Sequence, residues 1–368
     1  MIDRQLVLHI NWYMLALVAL LFSAGVLNLY SASAFRMGEG TTLNNFYSRQ
    51  LLWGGAGFLA MFLVMSFDYR HLKVMSWYIY AVSLILLACV FFWGVSIYGA
   101  QRWLHLGFLS FQPSELVKLG AMILMAHILS RDEYPLQLRD LLKVLVIIII
   151  PVIMVARQPD LGSALVILFL LAGIVVYHGI DRKLVKVLLV LLPLVAPLFW
   201  LMLHDYQKTR LLSFLNPAQD PLGSGYHVIQ SQIAVGSGGF WGKGFMEGTQ
   251  SQLRFLPEKH TDFAFSVFSE EWGFLGALIL LLVFCIFLYH VLSSSQQAKD
   301  RFGSLLCVGV FFYFFLQIMV NMGMVLGMLP VVGIPMPFIS YGGTSALVNF
   351  IMVGLVLNVS MRRYMFKS

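Results

Sequence analysis

Residues 204–262 have the sequence HDYQKTRLLSFLNPAQDPLGSGYHVIQSQIAVGSGGFWGKGFMEGTQSQLRFLPEKHTD and form a polar segment in a chain that is otherwise strongly apolar. Of the 368 residues, 60% are hydrophobic and only 11% are charged, and the mean hydropathy is +0.83. An ordinary soluble domain has roughly 25% charged residues. The composition therefore predicts an all-α polytopic membrane protein, in which residues 1–368 form a single membrane domain and residues 204–262 form one long loop.

Apolar runs on both sides of this loop predict about ten transmembrane helices, because a helix needs about 20 apolar residues to cross a bilayer. The predicted spans are 12–30, 48–66, 74–95, 113–130, 141–156, 162–179, 184–203, 263–291, 302–327 and 343–361. The long loop therefore connects the seventh and eighth helices.

The distribution of Lys and Arg predicts the side of the membrane on which each loop lies, since cytoplasmic loops are enriched in both residues. Most of them fall on the side that holds both termini, whereas the short loops of the other side contain only Arg36, Arg49, Arg102 and Arg157. Both termini are therefore predicted to be cytoplasmic and the 204–262 loop extracytoplasmic. This asymmetry explains the formal net charge of +7 without a nucleic-acid partner.

Polar residues also occur within or beside the predicted spans, in their extracytoplasmic half. Glu115 and Lys118, three residues apart at the start of the fourth helix, are spaced for an ion pair that offsets the cost of burying each charge. Arg102 and Trp103 lie in one outer loop, and Asp160 lies in another. These groups either converge on one outward-facing cavity or make separate structural contacts, and the sequence leaves both interpretations open.

The long loop is basic and rich in glycine. Residues 204–215 and 226–235 predict two short helices, and six glycines then occur between residues 236 and 248, where they permit close approach of the backbone to another group. The segment does not match a nucleotide-binding P-loop, because Lys243 is followed by Gly244 where Ser or Thr is required. It is therefore either a site for a pyrophosphate or sugar group or a flexible loop.

The junction between the loop and the eighth span contains the candidate catalytic residue. Asp262 ends the sequence EKHTD, in which Lys259 and His260 are its basic neighbours, and the apolar run follows at once. A carboxylate at this position either caps the helix N-terminus or acts as a general base. Glu270 and Glu271 lie deeper on the same helix and are expected to form structural pairs.

Five motifs occur in order along the chain: GAQRWLHLGFLSFQPSELVK (99–118), ARQPDLGSALV (156–166), the loop sequence over 204–244, QSQLRFLPEKHTDFAF (250–265) and LPVVGIPMPFISYGGTSAL (329–347). This set is similar to the SEDS family (shape, elongation, division, sporulation) and extends over essentially all ten predicted spans. The resemblance implies a peptidoglycan glycosyltransferase of the bacterial cytoplasmic (inner) membrane, active in cell elongation and rod-shape maintenance. Its site would face the periplasm or cell exterior and polymerise lipid II by inverting transfer.

The same resemblance implies partners. They are lipid II and the undecaprenyl-linked glycan as substrates, a class B penicillin-binding protein as the transpeptidase, and other membrane proteins of the elongation machinery.

Carried onto this sequence, the resemblance implies that Asp262 is the general base and that Trp103, Glu115 and Lys118 support it. The remaining candidates for substrate binding or support are Arg102, Asp160, Arg210, Lys243, Lys259, His260 and Thr261. Positive side chains among them would stabilise charge that develops on the pyrophosphate leaving group. A divalent cation, Mg²⁺ or Mn²⁺, would serve the same purpose, but the sequence requires no cofactor and contains no dedicated group of ligands for one.

Two other functions suit a ten-helix protein with a polar cavity and a lipid-linked substrate, namely a lipid II flippase and a non-catalytic scaffold of the elongation machinery. A flippase is expected to carry polar residues through to the cytoplasmic face, whereas the candidate residues cluster on the outer side. A scaffold leaves the Asp262 junction without a role.

Overall fold

The computed structural model describes residues 9–33, 46–97, 100–106, 109–131, 135–186, 201, 208, 214, 224–253, 255–256 and 258–364. Its helices are α1 (Trp12–Ser33), α2 (Phe46–Ser66), α3 (Arg70–Trp93), α4 (Pro113–Leu129), α5 (Leu138–Arg157), α6 (Leu161–His178), α7 (Ser224–Ser237), α8 (Thr249–Gln252), α9 (Ala264–Gln296), α10 (Arg301–Val325) and α11 (Gly343–Met361), followed by a 3₁₀ turn over Arg362–Tyr364. Three short strands, β1 (Val95–Ile97), β2 (Ala100–Leu106) and β3 (Leu109–Phe111), lie between α3 and α4.

The helices agree with the predicted spans wherever the structure describes them. Six, namely α1, α3, α6, α9, α10 and α11, are long and apolar enough by length and composition to cross a membrane. The others at predicted spans are less apolar or shorter; α4, for example, has 17 residues and includes Glu115 and Lys118. The chain is therefore a mostly helical polytopic membrane protein. The seventh predicted span, 184–203, and the loop helix predicted over 204–215 fall almost entirely outside the described residues, whereas α7 confirms the second loop helix.

The all-α expectation is wrong for the segment between α3 and α4. There β1, β2 and β3 form a three-stranded antiparallel sheet in the order β1-β2-β3, with Trp103 opposite Val95 and Leu104 opposite Phe111. The sequence of β2, AQRWLHL, has no strict alternation of polar and apolar residues, but Gly99 and Gly107 flank it and leave a run of seven residues between them. A run of that length between two glycines is too short for a membrane-spanning helix and suits a short strand.

Helix α9 is broken at Gly273, whose backbone angles of φ 65° and ψ −165° are not helical. At the break, backbone N–H and C=O groups of α9 lack their usual hydrogen bonds within the helix. The loop after α7 forms hydrogen bonds with these groups instead. Lys243 N–H donates to Glu270 O (3.1 Å) and Gly244 N–H to Glu271 O (3.1 Å), while Phe274 N–H donates to Gly239 O (2.9 Å). Backbone polar groups at membrane depth must be paired within the protein, so the loop completes the broken helix.

Glycine is required where this loop meets α9. A Cβ on Gly242, which has φ +84°, would lie 2.1 Å from Glu271 O, and one on Gly273 would lie 2.2 Å from Gly242 N. A Cβ on Gly238 would lie 2.2 Å from Ser269 O. The predicted close approach of a glycine-rich backbone is therefore confirmed, and its partner is the broken helix.

A non-helical segment between α10 and α11 is buried inside the bundle. Phe338, at φ +64°, is fully buried, and its ring packs on Phe314 (5.7 Å between centroids) and Phe350 (5.6 Å). A Cβ on Gly25 of α1 would lie 2.0 Å from Phe338 O. Aromatic rings and a glycine contact thus enclose a segment whose backbone cannot face lipid.

At the other end of the bundle, α11 is tied to the end of α2 and to the segment that follows it. Asn358 Nδ2 donates to Val64 O (2.5 Å) and Phe67 O (2.6 Å), and Arg362 Nη1 donates to Met65 O (3.2 Å). These side chains satisfy carbonyls that a helix C-terminus leaves unpaired. Nearby, burial and a hydrogen bond to Asp300 raise the pKa of Tyr69 well above its usual value.

We predict that Gly242→Ala destabilises the protein, because the added Cβ clashes with Glu271 O and the left-handed backbone disfavours alanine. The expected loss is at least about 2 kcal/mol in the free energy of unfolding, measured by thermal unfolding in detergent. Gly55→Ala in α2 is the matched control, because a Cβ there meets nothing within 4 Å and alanine favours a helix. Equal unfolding temperatures for the two variants would contradict this account of the loop.

Candidate active site

Asp262 lies in a tight turn at the start of α9. The N–H groups of Thr261 (3.1 Å) and Phe263 (3.3 Å) both donate to Glu258 O, and Glu258 has a φ of +44°. Phe263 is the N-cap residue of α9, which has no side-chain cap hydrogen bond. Phe263, and not Asp262, is therefore the N-cap residue of α9, and the Asp262 side chain is half-buried.

Asn321 of α10 fixes the position of this turn. Its side chain is fully buried, and Nδ2 donates to both Asp262 O (3.0 Å) and Ile334 O (2.7 Å). A Cβ on Gly333 would lie 3.4 Å from Oδ2 of Asp262. Asn321 thus joins the Asp262 turn to the segment around Gly333, and the carboxylate lies beside that glycine. Asn321 is not among the candidate residues predicted from the sequence, although an amide within an apolar span is itself a signal of a specific role.

The neighbours of Asp262 hold the turn on several sides. The His260 ring stacks on Phe46 with centroids 3.9 Å apart, and its backbone carbonyl accepts from Tyr341 N–H (2.8 Å). Thr261 Oγ1 donates to Glu258 Oε2 (3.2 Å). Lys259 Nζ donates to Ser251 O (2.6 Å). The predicted candidates Lys259, His260 and Thr261 therefore lie on one turn with Asp262 and bind it to three other segments.

Arg102 and Asp160 come together, whereas Glu115 and Lys118 contact each other and Tyr313, so the predicted convergence on one cavity is found for only one pair of the groups. Arg102 Nη1 lies 3.9 Å from Asp160 Oδ1, and Nε donates to Gln158 O (3.3 Å). Gln112 Nε2 donates to Asp160 Oδ2 (3.4 Å), and Asp160 Oδ1 also accepts from Ser163 N–H (3.1 Å) as the cap of α6. The Asp160 carboxylate therefore contacts Arg102 and also caps α6. Trp103, next to Arg102 on β2, is half-buried.

Glu115 and Lys118 form the predicted ion pair inside the bundle. Lys118 Nζ lies 2.6 Å from Glu115 Oε1, and each residue is only 3% exposed. The hydroxyl of Tyr313 lies 3.4 Å from Glu115 Oε2 and donates to Asn349 Oδ1 (2.8 Å). The pair therefore belongs to a buried polar cluster that connects α4 with α10 and α11.

Lys243 makes its contacts with the broken helix. Nζ lies 2.8 Å from Oε1 of Glu270, which is 0% exposed, and donates to Ser237 Oγ and Thr249 Oγ1 at 2.7 Å each. The carboxylate of Glu270 also accepts from Gln250 N–H (2.8 Å). Glu270 therefore has the expected structural pairing, and Lys243 supplies it. The predicted role of Lys243 in binding a pyrophosphate stays a prediction. The other basic candidate of the loop, Arg210, lies outside the described residues.

Together, the fold and this junction define a polytopic membrane protein with a carboxylate positioned where an irregular segment enters the bundle. The family model of FtsW, RodA and SpoVE, described as cell cycle protein, matches residues 11–365. The chain belongs to this family, which confirms the membership predicted from its motifs.

Named relatives are similar over nearly the whole chain. The peptidoglycan glycosyltransferase MrdB of Escherichia coli K12 is 39% identical over 360 residues, which cover 97% of this chain and 95% of MrdB. The peptidoglycan glycosyltransferase RodA of Treponema pallidum is 31% identical over 424 residues, covering 95% of this chain and 98% of the relative.

Solved structures share the fold. A chain of a peptidoglycan synthase complex, studied for the structural coordination of polymerization and crosslinking, matches with a TM-score of 0.83 and 32% identity, covering 97% of this chain and 99% of that one. The crystal structure of the rod shape determining protein RodA of Thermus thermophilus matches with a TM-score of 0.71 and 30% identity, covering 97% and 98%.

We predict that Glu115 and Lys118 are energetically coupled. Each single change, Glu115→Leu or Lys118→Met, leaves a buried charge without its partner and should cost about 3–5 kcal/mol in the free energy of unfolding. The double variant should lose much less than the sum of the two, as measured by thermal unfolding in detergent.

The pair Asp140–Lys143 on α5 provides the control, since it has the same spacing at 2.9 Å but lies more exposed. Its coupling energy should be about 0.3–0.5 kcal/mol. Additive losses at Glu115 and Lys118, or coupling no larger than that of the control pair, would show that the buried contact does not stabilise the bundle.

Proposed function

We propose that this chain is a peptidoglycan glycosyltransferase that polymerises lipid II into glycan strands. The single observation that carries the proposal is the position of Asp262, whose backbone is fixed by Asn321 and whose carboxylate lies beside Gly333. The names of the relatives MrdB and RodA support the activity. Cell elongation and rod-shape maintenance are the cellular process to which this activity would contribute.

In the proposed reaction, Asp262 acts as the general base. The 4-hydroxyl of an incoming N-acetylglucosamine attacks the anomeric carbon of the growing glycan, and the Asp262 carboxylate takes the hydroxyl proton. The bond between the anomeric carbon and the lipid-linked pyrophosphate breaks, so the configuration inverts and the pyrophosphate leaves with the bonding electrons. Lys259 and His260 on the same turn, with Arg102 and Arg210 as further candidates, favour the negative charge that develops.

An apolar groove next to the site suits a lipid-linked substrate. A cavity of about 150 Å³ is lined by residues of α6 and α10 and by Val332 and Ile334, which flank Gly333. Because Gly333 lies beside Asp262, an isoprenoid chain in this groove would keep its pyrophosphate end close to the carboxylate. A substrate with a polar reactive end and a lipid tail needs a polar site and an apolar groove next to each other.

The proposed orientation places the Asp262 turn at the outer face of the bacterial cytoplasmic membrane, toward the periplasm or cell exterior, and both termini in the cytoplasm. Arg70, Lys73, Arg131, Arg182 and Lys183 all lie at helix ends or connections away from that turn. This distribution supports the orientation because cytoplasmic segments are enriched in Lys and Arg. In this arrangement residues 1–368 form one membrane domain and 204–262 form its extracytoplasmic loop.

The proposed reaction does not use a metal ion held by side chains of the protein. Among the described residues, no group of three or more His, Cys, Asp or Glu side chains is arranged to hold a metal ion. In the proposed reaction a divalent cation, Mg²⁺ or Mn²⁺, bound to the pyrophosphate of the substrate would supplement the positive charge of Lys259. Polymerisation in the presence of a chelator tests this contribution.

The proposed partner is a class B penicillin-binding protein, which would crosslink the strands that this chain polymerises. The similarity to a chain of a peptidoglycan synthase complex supports this assignment. Further membrane proteins of the elongation machinery would bind the same complex.

We predict that Asp262→Asn lowers the rate of lipid II polymerisation by about 10²–10⁴-fold, the usual contribution of a general base. The amide has nearly the same size, and the backbone contact with Asn321 uses the carbonyl of residue 262, so folding should be preserved. The assay follows labelled lipid II and glycan length with the purified protein and its transpeptidase partner.

Asp181→Asn is the matched control, because Asp181 caps a turn through Lys183 N–H (3.2 Å) at the opposite end of the bundle. It should polymerise at the wild-type rate. Near-normal polymer from Asp262→Asn, in protein that unfolds at the wild-type temperature, would exclude the general-base role.

A further inference from the structure

A second cavity lies between α3, α4 and α5, at the end of the bundle away from the Asp262 turn. Its volume is about 650 Å³, and its lining includes Trp77, Tyr80, Arg131, Lys143, Val146 and Ile150. These residues come from the first half of α3, the segment that follows α4, and the first two thirds of α5. Nothing in the proposed reaction uses this cavity.

The wall of the cavity is apolar and open to the side of the bundle. Trp77 is 56% exposed and Val146 54% exposed, and both lie on helices that pack within the membrane domain. Deeper in, the Tyr80 hydroxyl donates to Ile147 O (3.1 Å), which ties α3 to α5. Exposed apolar side chains on a membrane helix face hydrocarbon, so this wall suits an acyl chain.

The rim of the cavity is positively charged. Arg131 follows the end of α4, is exposed and forms no ion pair with any described residue. Lys143 is also exposed at the rim and lies 2.9 Å from Asp140, the acidic residue that faces it within the described chain. His127, 4% exposed, also lines the cavity, and its Nδ1 has no hydrogen-bond partner among the described residues.

We propose that this cavity binds an anionic phospholipid of the membrane, with its phosphate between Arg131 and Lys143 and its acyl chains along Trp77, Val146 and Ile150. A basic pocket between transmembrane helices, at the level of the lipid headgroups, recognises lipids of net negative charge. A zwitterionic lipid suits the cavity less well, because its headgroup adds a cation that Arg131 and Lys143 both repel. A free anion also suits it less well, because it makes no contact with the apolar wall. In the proposed orientation the lipid belongs to the cytoplasmic leaflet.

Bound in this way, the lipid would fill the space between the ends of three helices that the protein does not close with its own side chains. Tyr80 already joins α3 and α5 at the deeper level. The lipid would join them at the membrane surface, so anionic lipid should raise the unfolding temperature of the whole protein.

The test compares binding of dioleoylphosphatidylglycerol and dioleoylphosphatidylcholine to the purified full chain in detergent, by native mass spectrometry and by the shift in unfolding temperature. The variant R131Q/K143Q should bind phosphatidylglycerol about tenfold or more weakly, since each basic residue near an anionic lipid contributes roughly a fivefold factor. The matched control is R182Q/K183Q, which removes the same charge from two exposed residues outside the cavity lining. It should bind within about twofold of wild type.

Val146→Trp keeps every charge and fills the apolar wall, so it should weaken phosphatidylglycerol binding without changing the preference for the anionic lipid. The proposal is overturned if both double variants lose binding equally, which indicates a general surface-charge effect. It is also overturned if phosphatidylcholine binds as well as phosphatidylglycerol, or if inorganic phosphate alone gives the same rise in unfolding temperature.

Discussion

The pairing of backbone groups at the break in α9 is the constraint on which the rest of the structure depends. Gly273 interrupts a helix that is long and apolar enough to cross a membrane, and the loop over 239–244 supplies the missing hydrogen bonds. The ion pair between Lys243 and the fully buried Glu270 holds this loop in place. The turn that contains Asp262 directly precedes α9, which begins at Ala264, so the loop holds the helix to which that turn leads. The glycine-rich sequence is therefore a structural partner of α9.

The site results from the meeting of two irregular segments within a helical bundle. The Asp262 turn and the segment around Gly333 have few helical hydrogen bonds, and both are held by the side-chain amide of Asn321. Such backbone is tolerated at membrane depth only where protein or a polar cavity surrounds it. In the proposed orientation this arrangement would place the Asp262 carboxylate at the boundary between the bundle and the aqueous side, where a lipid-linked sugar would present its reactive end.

Much of the fold could be predicted because the length of an apolar run and the spacing of two charged residues can both be read from a short stretch of sequence. The spans and the Glu115–Lys118 pair follow from runs of about 20 residues and an i,i+3 spacing. The sheet over 95–111 was missed because its strands have only 3 to 7 residues. The roles of Asn321 and Lys243 depend on contacts across 59 and 27 positions, which no local pattern contains. The contacts of Asp160 with Gln112 and with the start of α6 likewise join residues from different segments of the chain.

A protein that binds a lipid-linked substrate in its bundle either transfers the sugar or moves the lipid across the membrane. The carboxylate beside Gly333 favours transfer, since a flippase needs no base at the outer boundary. The most direct measurement uses proteoliposomes that contain the purified protein, with fluorescent lipid II added from outside, and records both glycan polymer and transbilayer movement of the lipid. The account predicts polymer while unreacted lipid II stays in the leaflet to which it was added. Movement of lipid II to the other leaflet without polymer would contradict it.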